Sequence, residues 1–447
     1  MKQSLYLVAG LGKTGLSIAR YLQRRGHEFR VFDTRKEAPN LAEFRQEFPH
    51  VVLYLEHFPE TAFSEITDII TSPGLPLDTP FIKQAMQEGI AVYGDIECLA
   101  REIKAPVVAI TGTNGKSTVT TLVGEMAQAA GFKVAVAGNI GNPVLDILDD
   151  GQNYDLWVLE LSSFQLDLTF SLAPTVATIL NISPDHLDRH HTLDAYVQAK
   201  QRIYSHAQVA LYNRDDEYTS PAKEYDIGLK SISFGNNAPT PDSWGLIAHD
   251  GEFALAKGSE SIIPVTSLKI KGVHNWMNAL AACALAETVG IPLQHIISVL
   301  ETFTGLSHRC QWVRSLDHVD WINDSKGTNI GATISAINGI GGSMQGKIIL
   351  IAGGQGKGAD FNDLIPPVAE FVRSIVLIGE DAGKLETVLG PIVPTISASS
   401  LDNAVVLARA QAKPGDVVLL SPACASLDMF RDFNHRGDAF TSAVNGL

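Results

Sequence analysis

The sequence predicts an α/β protein with three sheet-forming units in series. Short runs of β-branched and aliphatic residues alternate with helical stretches, the pattern of parallel strands joined by helical crossovers. Many of these runs end in glycine or Ser-Pro turns. The chain has 447 residues, and at about 150 per domain it holds roughly three cores, with 45% hydrophobic residues to fill them. The expected domains are 1–96, 97–304 and 305–447.

In the first unit, residues 4–10 (SLYLVAG) form a strand, GLGKTG a turn, and a helix from Leu16 closes at Gly26. HEFRVFDTR is a second strand ending at Asp33, and TDIITSPGLP a third that runs into a Ser-Pro-Gly turn. A helix over about 81–88 precedes the strand IAVYG, and the break at Ala105-Pro106 follows a charged stretch. The second unit opens with PVVAITGTNGKST, a strand, glycine loop and helix start. YDLWVLELSS and TVATILNIS are its next strands, PDHLDRH is a loop, and a helix covers about 193–204. Residues 220–270 read as short strands and turns. NWMNALAACALAETVG is a helix ending at Gly290, and GLSHR at 305–309 marks the second boundary. In the third unit WINDSK, KIILIAGG, SIVLIG and DVVLLSP are strands separated by helices.

Composition excludes several functions. With 34 basic against 49 acidic residues, a net of −15, the chain is no general binder of nucleic acid or anionic membrane. Anionic ligands must be held by local loops and helix ends. Cys98, Cys283, Cys310 and Cys424 are scattered, which excludes a disulfide framework or zinc ribbon and fits a reducing compartment. No apolar run approaches the roughly 18 residues of a membrane span, and the apolar start leads into a glycine motif, unlike a secretion signal. A soluble cytoplasmic protein is expected.

The strongest chemical signal is Thr111 followed by Gly112, Thr113, Asn114, Gly115, Lys116, Ser117 and Thr118, between an apolar strand and a helix. Inward N–H groups, a helix N-terminus, a lysine and a hydroxyl for magnesium are what phosphates require. Ile110 stands where the strict pattern has its first glycine, so the loop is a variant. Glu160 ends an apolar strand, a position that suits a magnesium ligand. Alone it would be an ordinary polar strand end. In SPDHLDRH, His186 lies between Asp185 and Asp188 and can bind metal or orient a proton donor, with His190 at helical spacing. Zinc is disfavoured because HExxH is absent. Lys200, among Tyr196, Arg202 and Tyr204, reads locally as a solvated surface lysine.

Gly10-Leu11-Gly12-Lys13-Thr14-Gly15 matches GxGxxG after a strand, with Asp33 ending the next strand. That specifies a pyrophosphate at a helix end and an acid near a ribose, for a dinucleotide or a nucleotide-sugar diphosphate alike. Segments 323–329 (NDSKGTN), 353–357 (GGQGK) and 421–426 (SPACAS) each follow a strand, where open sheets bind ligands, and together point to one anionic pocket. His308-Arg309 could reach a nucleotide across a cleft. The units thus read as an N-terminal Rossmann-like sheet, a central P-loop-type mononucleotide-binding sheet and a C-terminal Rossmann-like sheet.

In this order, with DTR (33–35), SPG (72–74), HNWMNALAA (274–282) and SPACASLD (421–428), these motifs resemble the Mur ligase family, in its D-glutamate-adding branch. The resemblance covers essentially the whole chain. It implies that ATP phosphorylates the carboxylate of UDP-N-acetylmuramoyl-L-alanine, and that the amine of D-glutamate then attacks the acyl phosphate. It implies that residues 112–118 hold the ATP phosphates, with Lys116 on the developing charge and Ser117 or Thr118 on magnesium. Glu160 would bind one magnesium ion, and His186 with a carbamylated Lys200 a second. Asn278, Arg309 and Asp324 would hold the adenosine, and Lys326 would approach the transferred phosphate. Lys13, Thr14, Asp33, Thr34, Arg35, Ser72, Gly74 and Asn139 would line the UDP-sugar site. Thr328, Lys357, Ser426, Leu427 and Phe433 would hold D-glutamate. A monomer is expected. Lys13 departs from the hydrophobic residue expected there. The competing readings are a nicotinamide dehydrogenase, a folate-type polyglutamate ligase and an ATP-switched binding module. Hydride transfer, folate acceptance, and nucleotide binding without amide product would respectively support them.

Overall fold

In the computed structural model, residues 4–225, 228–249, 252–270, 272–342, 344–356 and 359–447 are described. Their strands build three sheets of five, nine and six strands. The first contains β1 (Leu5–Ala9), β2 (Glu28–Asp33), β3 (Leu53–Leu55), β4 (Asp68–Thr71) and β5 (Ala91–Tyr93), ordered β3-β2-β1-β4-β5 and parallel throughout. Order reverses at β1, so a crevice opens at its carboxyl end. The second contains β6 (Val107–Thr111), β7 (Val134–Gly138), β8 (Leu156–Glu160), β9 (Val176–Ile179), β10 (Val209–Asn213), β11 (Lys230–Phe234), β12 (Trp244–His249), β13 (Glu252–Lys257) and β14 (Glu260–Pro264). Its order is β14-β13-β12-β11-β10-β9-β6-β8-β7, with β6 at the switch. The third runs β15-β16-β20-β17-β18-β19, from β15 (Gln311–Leu316), β16 (Val319–Asn323), β17 (Ile348–Gly353), β18 (Val372–Ile378), β19 (Thr395–Ser397) and β20 (Val417–Leu420). The β15–β16 pair is an antiparallel hairpin on an otherwise parallel sheet.

Central strands β6, β8 and β17 are buried at every residue, which is why they read as unbroken apolar runs rather than alternations. By packing, the chain divides into two compact units. One comprises 1–245, 256–260 and 280–296; the other comprises 246–255, 261–279 and 297–447.

Helices cover the sheets. They are α1 (Lys13–Arg24), α2 (Leu41–Glu47), α3 (Pro80–Gln87), α4 (Asp95–Ala100), α5 (Lys116–Ala129), α6 (Val144–Leu148), α7 (Ser163–Leu166), α8 (Leu187–His190), α9 (Leu193–Gln201), α10 (Val273–Thr288), α11 (Leu293–Thr302), α12 (Ile330–Gly341), α13 (Ile365–Phe371), α14 (Ala382–Leu389), α15 (Leu401–Gln411) and α16 (Phe433–Asn445). Helix α1 begins earlier than the sequence pattern indicates, because Gly12 is its extended N-cap and its carbonyl accepts the Leu16 N–H. PDHLDRH, expected as a loop, contains the short helix α8. Within the first unit, Arg20 pairs with Glu43 and Glu47, Arg24 with Asp149, and Arg25 with Glu102 and Asp149, joining α1 and its C-cap to α2 and to the ends of α6 and α4. Among the described residues no helix is long and apolar enough to cross a membrane.

Candidate functional site

At the end of β1 the glycine fingerprint folds under tight constraints. Gly10 has φ 92°, and a Cβ there would lie 3.0 Å from Ser72 Cβ. A Cβ on Gly15 would lie 1.8 Å from Gly10 O, whereas Gly12 has open space. Asp33 braces this loop. Its Oδ2 accepts the Leu11 N–H at 2.7 Å, and the Arg35 guanidinium bonds both carboxylate oxygens at 2.8 Å. Burial works to raise the Asp33 pKa, but Arg35 and the two main-chain N–H groups hold it below the ordinary carboxylate value. Both its oxygens are therefore engaged. Lys13, Thr34, Arg35 and Gly74 are exposed around the same crevice, with Thr14 and Ser72 half-buried.

The candidate phosphate loop leaves β6. Gly115 (φ 83°) caps α5 in the left-handed region that favours glycine. The loop is held by the segment after β9. Asn181 accepts the Asn114 N–H at 2.8 Å and donates back to Asn114 O at 3.1 Å, and the Thr113 hydroxyl meets Ser183 and Tyr196. Lys116 Nζ donates to the carbonyls of Gly112 and Thr113, each at 2.9 Å. Ser117 and Thr118 stand half-buried in the first turn of α5.

Lys200 corrects the local reading of a surface lysine. It is 1% exposed, and its Nζ donates to Gly112 O at 2.9 Å and Thr111 Oγ1 at 3.2 Å. Burial first, and then the neighbouring Lys116, push its pKa well below the ordinary lysine value. Asp185 and Glu160 oppose that shift from nearby. Glu160 is 1% exposed at the end of β8. Asn139 Nδ2 holds its Oε1 at 2.9 Å, while its Oε2 is buried without a hydrogen-bond partner. His186 is exposed at φ 52°, its ring 5.0 Å from that of Phe164, with Arg189 over the other ring at 4.8 Å. His190 does not join it as a metal pair; its Nε2 meets Ser163 Oγ at 2.9 Å. Among the described residues no three His, Cys, Asp or Glu side chains form a ready-made metal cluster.

In the other unit the three suspected segments do converge. Ser421 Oγ donates to Asp324 Oδ2 at 2.7 Å, Ala423 N to Gly327 O at 2.9 Å, Gly353 N to Pro422 O at 2.9 Å, and Gln355 and Ala425 exchange main-chain bonds. Burial pushes Asp324 up to about 6, against the bonds from Ser421 and Cys310. Lys326 Nζ sits 4.1 Å from the Phe433 ring centre, and burial followed by the charge of Arg309 lowers its pKa. Thr328 is half-buried, Ser426 buried, and Leu427 61% exposed. Asn278, on α10, is buried and donates to Asn275. No hydrogen bond among the described residues joins it to Asp324 or Arg309. Lys357 lies outside the described residues.

Sequence reasoning missed Arg436. It is 1% exposed, and its guanidinium bonds Ser325 Oγ, Ser325 O and Cys424 O at 2.8–3.2 Å, tying two of the three segments together. Burial lowers its pKa to about 10. Nothing in the flanking FNHRG marks it; its carbonyl partners carry no sequence signal.

The middle of the chain, residues 110–286, matches the family described as Mur ligase middle domain. Residues 4–94 match the Mur ligase MurD-like N-terminal domain, and 308–424 the Mur ligase glutamate ligase domain. The chain is 71% identical over 447 residues to the UDP-N-acetylmuramoylalanine--D-glutamate ligase of Legionella pneumophila strain Paris, covering 100% of both. It is 49% identical over 441 residues to the ligase of that name from Pseudomonas fluorescens Pf-5, covering 99% of this chain and 98% of that one. A solved structure of MurF from Acinetobacter baumannii superposes with a TM-score of 0.60 at 19% identity, covering 94% and 91% of the two chains. MurC of Thermotoga maritima gives 0.55 at 18%, covering 99% of each. These two likenesses speak for the fold. With three matched domains in sequence and such identity along its full length, the chain belongs to the Mur ligase family.

Proposed function

We propose that the protein is an ATP-dependent ligase that adds D-glutamate to UDP-N-acetylmuramoyl-L-alanine in the building of peptidoglycan precursors. The observation that carries this reading is the meeting of Lys116 and buried Lys200 at the carbonyl of Gly112, in a chain 71% identical to ligases of that name.

The substrate carboxylate oxygen attacks the γ-phosphorus of ATP, the bond to ADP breaks, and an acyl phosphate results. The D-glutamate amine then attacks the acyl carbon, forming the amide and releasing phosphate and the amine's proton. Such transfers need charge neutralisation and alignment more than a protein nucleophile. The residues 112–118 cradle the phosphates, Lys116 meets the developing charge, and Lys326 approaches the transferred group. Asn278, Arg309 and Asp324 hold the adenosine. Lys13, Thr14, Asp33, Thr34, Arg35, Ser72, Gly74 and Asn139 face the UDP-sugar, with Asp33 acting through the loop it braces. Thr328, Lys357, Ser426, Leu427 and Phe433 receive D-glutamate.

The unpartnered Glu160 Oε2 and the oxygen-rich surroundings fit divalent magnesium. Ser117, Glu160, His186 and Lys200 would hold two ions, which neutralise phosphoryl oxygens when bound. A buried neutral amine is the form that takes up carbon dioxide, so Lys200 as a carbamate would offer oxygens. In the division into domains 1–96, 97–304 and 305–447, the first binds the UDP-sugar, the second binds ATP, and the third binds D-glutamate and contributes to the nucleotide site. The chain acts as a cytoplasmic monomer without nucleic acid, in keeping with its net charge of −15.

The test supplies ATP, magnesium and UDP-N-acetylmuramoyl-L-alanine with D-glutamate, L-glutamate or L-alanine, and identifies products by mass. An amide with D-glutamate alone is expected, with one ADP per amide. Nucleotide binding without amide formation overturns the reading.

A further inference from the structure

Asn139 follows β7 directly and lies against the end of β8. Its main-chain N–H donates to Glu160 O at 2.8 Å, and its side-chain Nδ2 donates to Glu160 Oε1 at 2.9 Å. The two oxygens of one buried carboxylate are therefore in different states. Oε1 is satisfied by an amide, and Oε2 is buried with no partner. An orphaned carboxylate oxygen is costly unless something else completes it. The contact has little slack. Gly138 has φ 107°, and a Cβ there would lie 2.1 Å from Glu160 O, so the two strand ends are pressed together. Apart from this clamp Asn139 is exposed, and its Oδ1 makes no hydrogen bond among the described residues.

We infer that Asn139 is a positioning residue for divalent-cation binding: its amide clamps Glu160 Oε1 so that Oε2 alone is presented to the cation that accompanies the nucleotide. The inference rests on Glu160 being a cation ligand, as proposed above. A neutral amide is suited to the task, since it donates to the carboxylate without competing for the ion. Holding the carboxylate by one oxygen favours single-oxygen ligation, which matches magnesium, a small octahedral ion that keeps several waters. Hydrogen-bond partners of ligating carboxylates change metal affinity by about 10–100-fold when removed. The free Oδ1 leaves Asn139 able to meet the sugar nucleotide with its other face, so one side chain serves both ligands.

The test uses full-length protein, manganese(II) as the probe ion and ADP, with free manganese followed by electron paramagnetic resonance. Asn139→Ala and Asn139→Leu are each expected to bind manganese about tenfold more weakly in the presence of ADP. Their affinity for ADP in EDTA should match the wild type. Glu160→Gln is the reference and should lose manganese binding more severely. If Asn139→Leu binds manganese within about twofold of wild type while Glu160→Gln does not, the positioning role is overturned and the Glu160 site stands. If Glu160→Gln also binds normally, the site and the inference fall together. An equal loss of ADP affinity in EDTA assigns Asn139 to the fold of the loop and overturns the inference as well.

Discussion

The Nζ atoms of Lys116 and Lys200 both donate to the carbonyl oxygen of Gly112, each at 2.9 Å. Burial, and then repulsion between two cationic groups at one acceptor, hold the Lys200 pKa well below the ordinary lysine value. With its folded pKa below the ordinary 10.5, Lys200 binds fewer protons folded than unfolded. Its burial therefore opposes folding at neutral pH, and the penalty fades as pH rises toward 10.5. In bicarbonate-free buffer, Lys200→Met is expected to melt no lower than wild type near neutrality, with any gain vanishing in alkali. Its ligase activity should fall by on the order of a hundredfold and recover in part with short carboxylic acids. Scanning calorimetry and product assays check both; unaltered activity removes Lys200 from the site.

Lys116→Ala removes the lysine that belongs to the glycine loop itself. ATP-dependent phosphate release should fall by about 10²–10³-fold, because developing phosphoryl charge loses its compensation. Release measured with all substrates at saturation decides the matter, and a fall under threefold would exclude that role.

Asp324 is raised to about 6 from 3.8, so between those values the folded chain keeps a proton that the unfolded chain releases. Its contribution to stability falls as pH climbs through that window and stays low above it. Asp324→Asn is expected to match wild type in denaturant titrations at about pH 4 and to exceed it by roughly 1–3 kcal/mol at about pH 7.5. Nucleotide affinity should drop in the same variant. Equal stability at both pH values contradicts the assignment.

The glycines of the first loop separate by role. Gly15→Ala places a Cβ 1.8 Å from Gly10 O and should destabilise the loop by about 1–3 kcal/mol. Gly12→Ala meets nothing within 4 Å and should leave the melting temperature alone while weakening the sugar nucleotide. Melting curves and calorimetric titrations of the pair distinguish packing from ligand contact.

Arg436→Met leaves the carbonyls of Ser325 and Cys424 without their shared donor. A loss of about 3 kcal/mol is expected. In protein that still folds, the apparent requirement for D-glutamate should rise more than that for ATP. Steady-state kinetics against each substrate would show an equal rise if Arg436 merely stabilises the unit.

The strands ending at Ala9, Thr111 and Glu160 were legible because buried parallel strands are continuous apolar runs, and because the turns that follow two of them need glycine at positive φ. Lys200 was not. The α9 sequence LDAYVQAKQ carries no apolar stripe that would announce a buried lysine, and the burial comes from the phosphate loop lying over it. The bonds of Asn181 to Asn114, Asn139 to Glu160 and Arg436 to Cys424 join segments distant in sequence, a pairing that no local periodicity betrays. Three-residue strands such as β3 and β19 are too short for alternation to speak.

The arginines of α1 meet the carboxylates of α2, α6 and the end of α4 largely at half-exposed positions, within reach of dissolved ions. At about 1 M ionic strength, screening over about 3 Å weakens such pairs while leaving apolar cores intact. Brine would thus loosen the seam between the first two sheets before melting either. Lineages adapting to saline interiors would be under pressure to rebuild that seam with packing in place of charge.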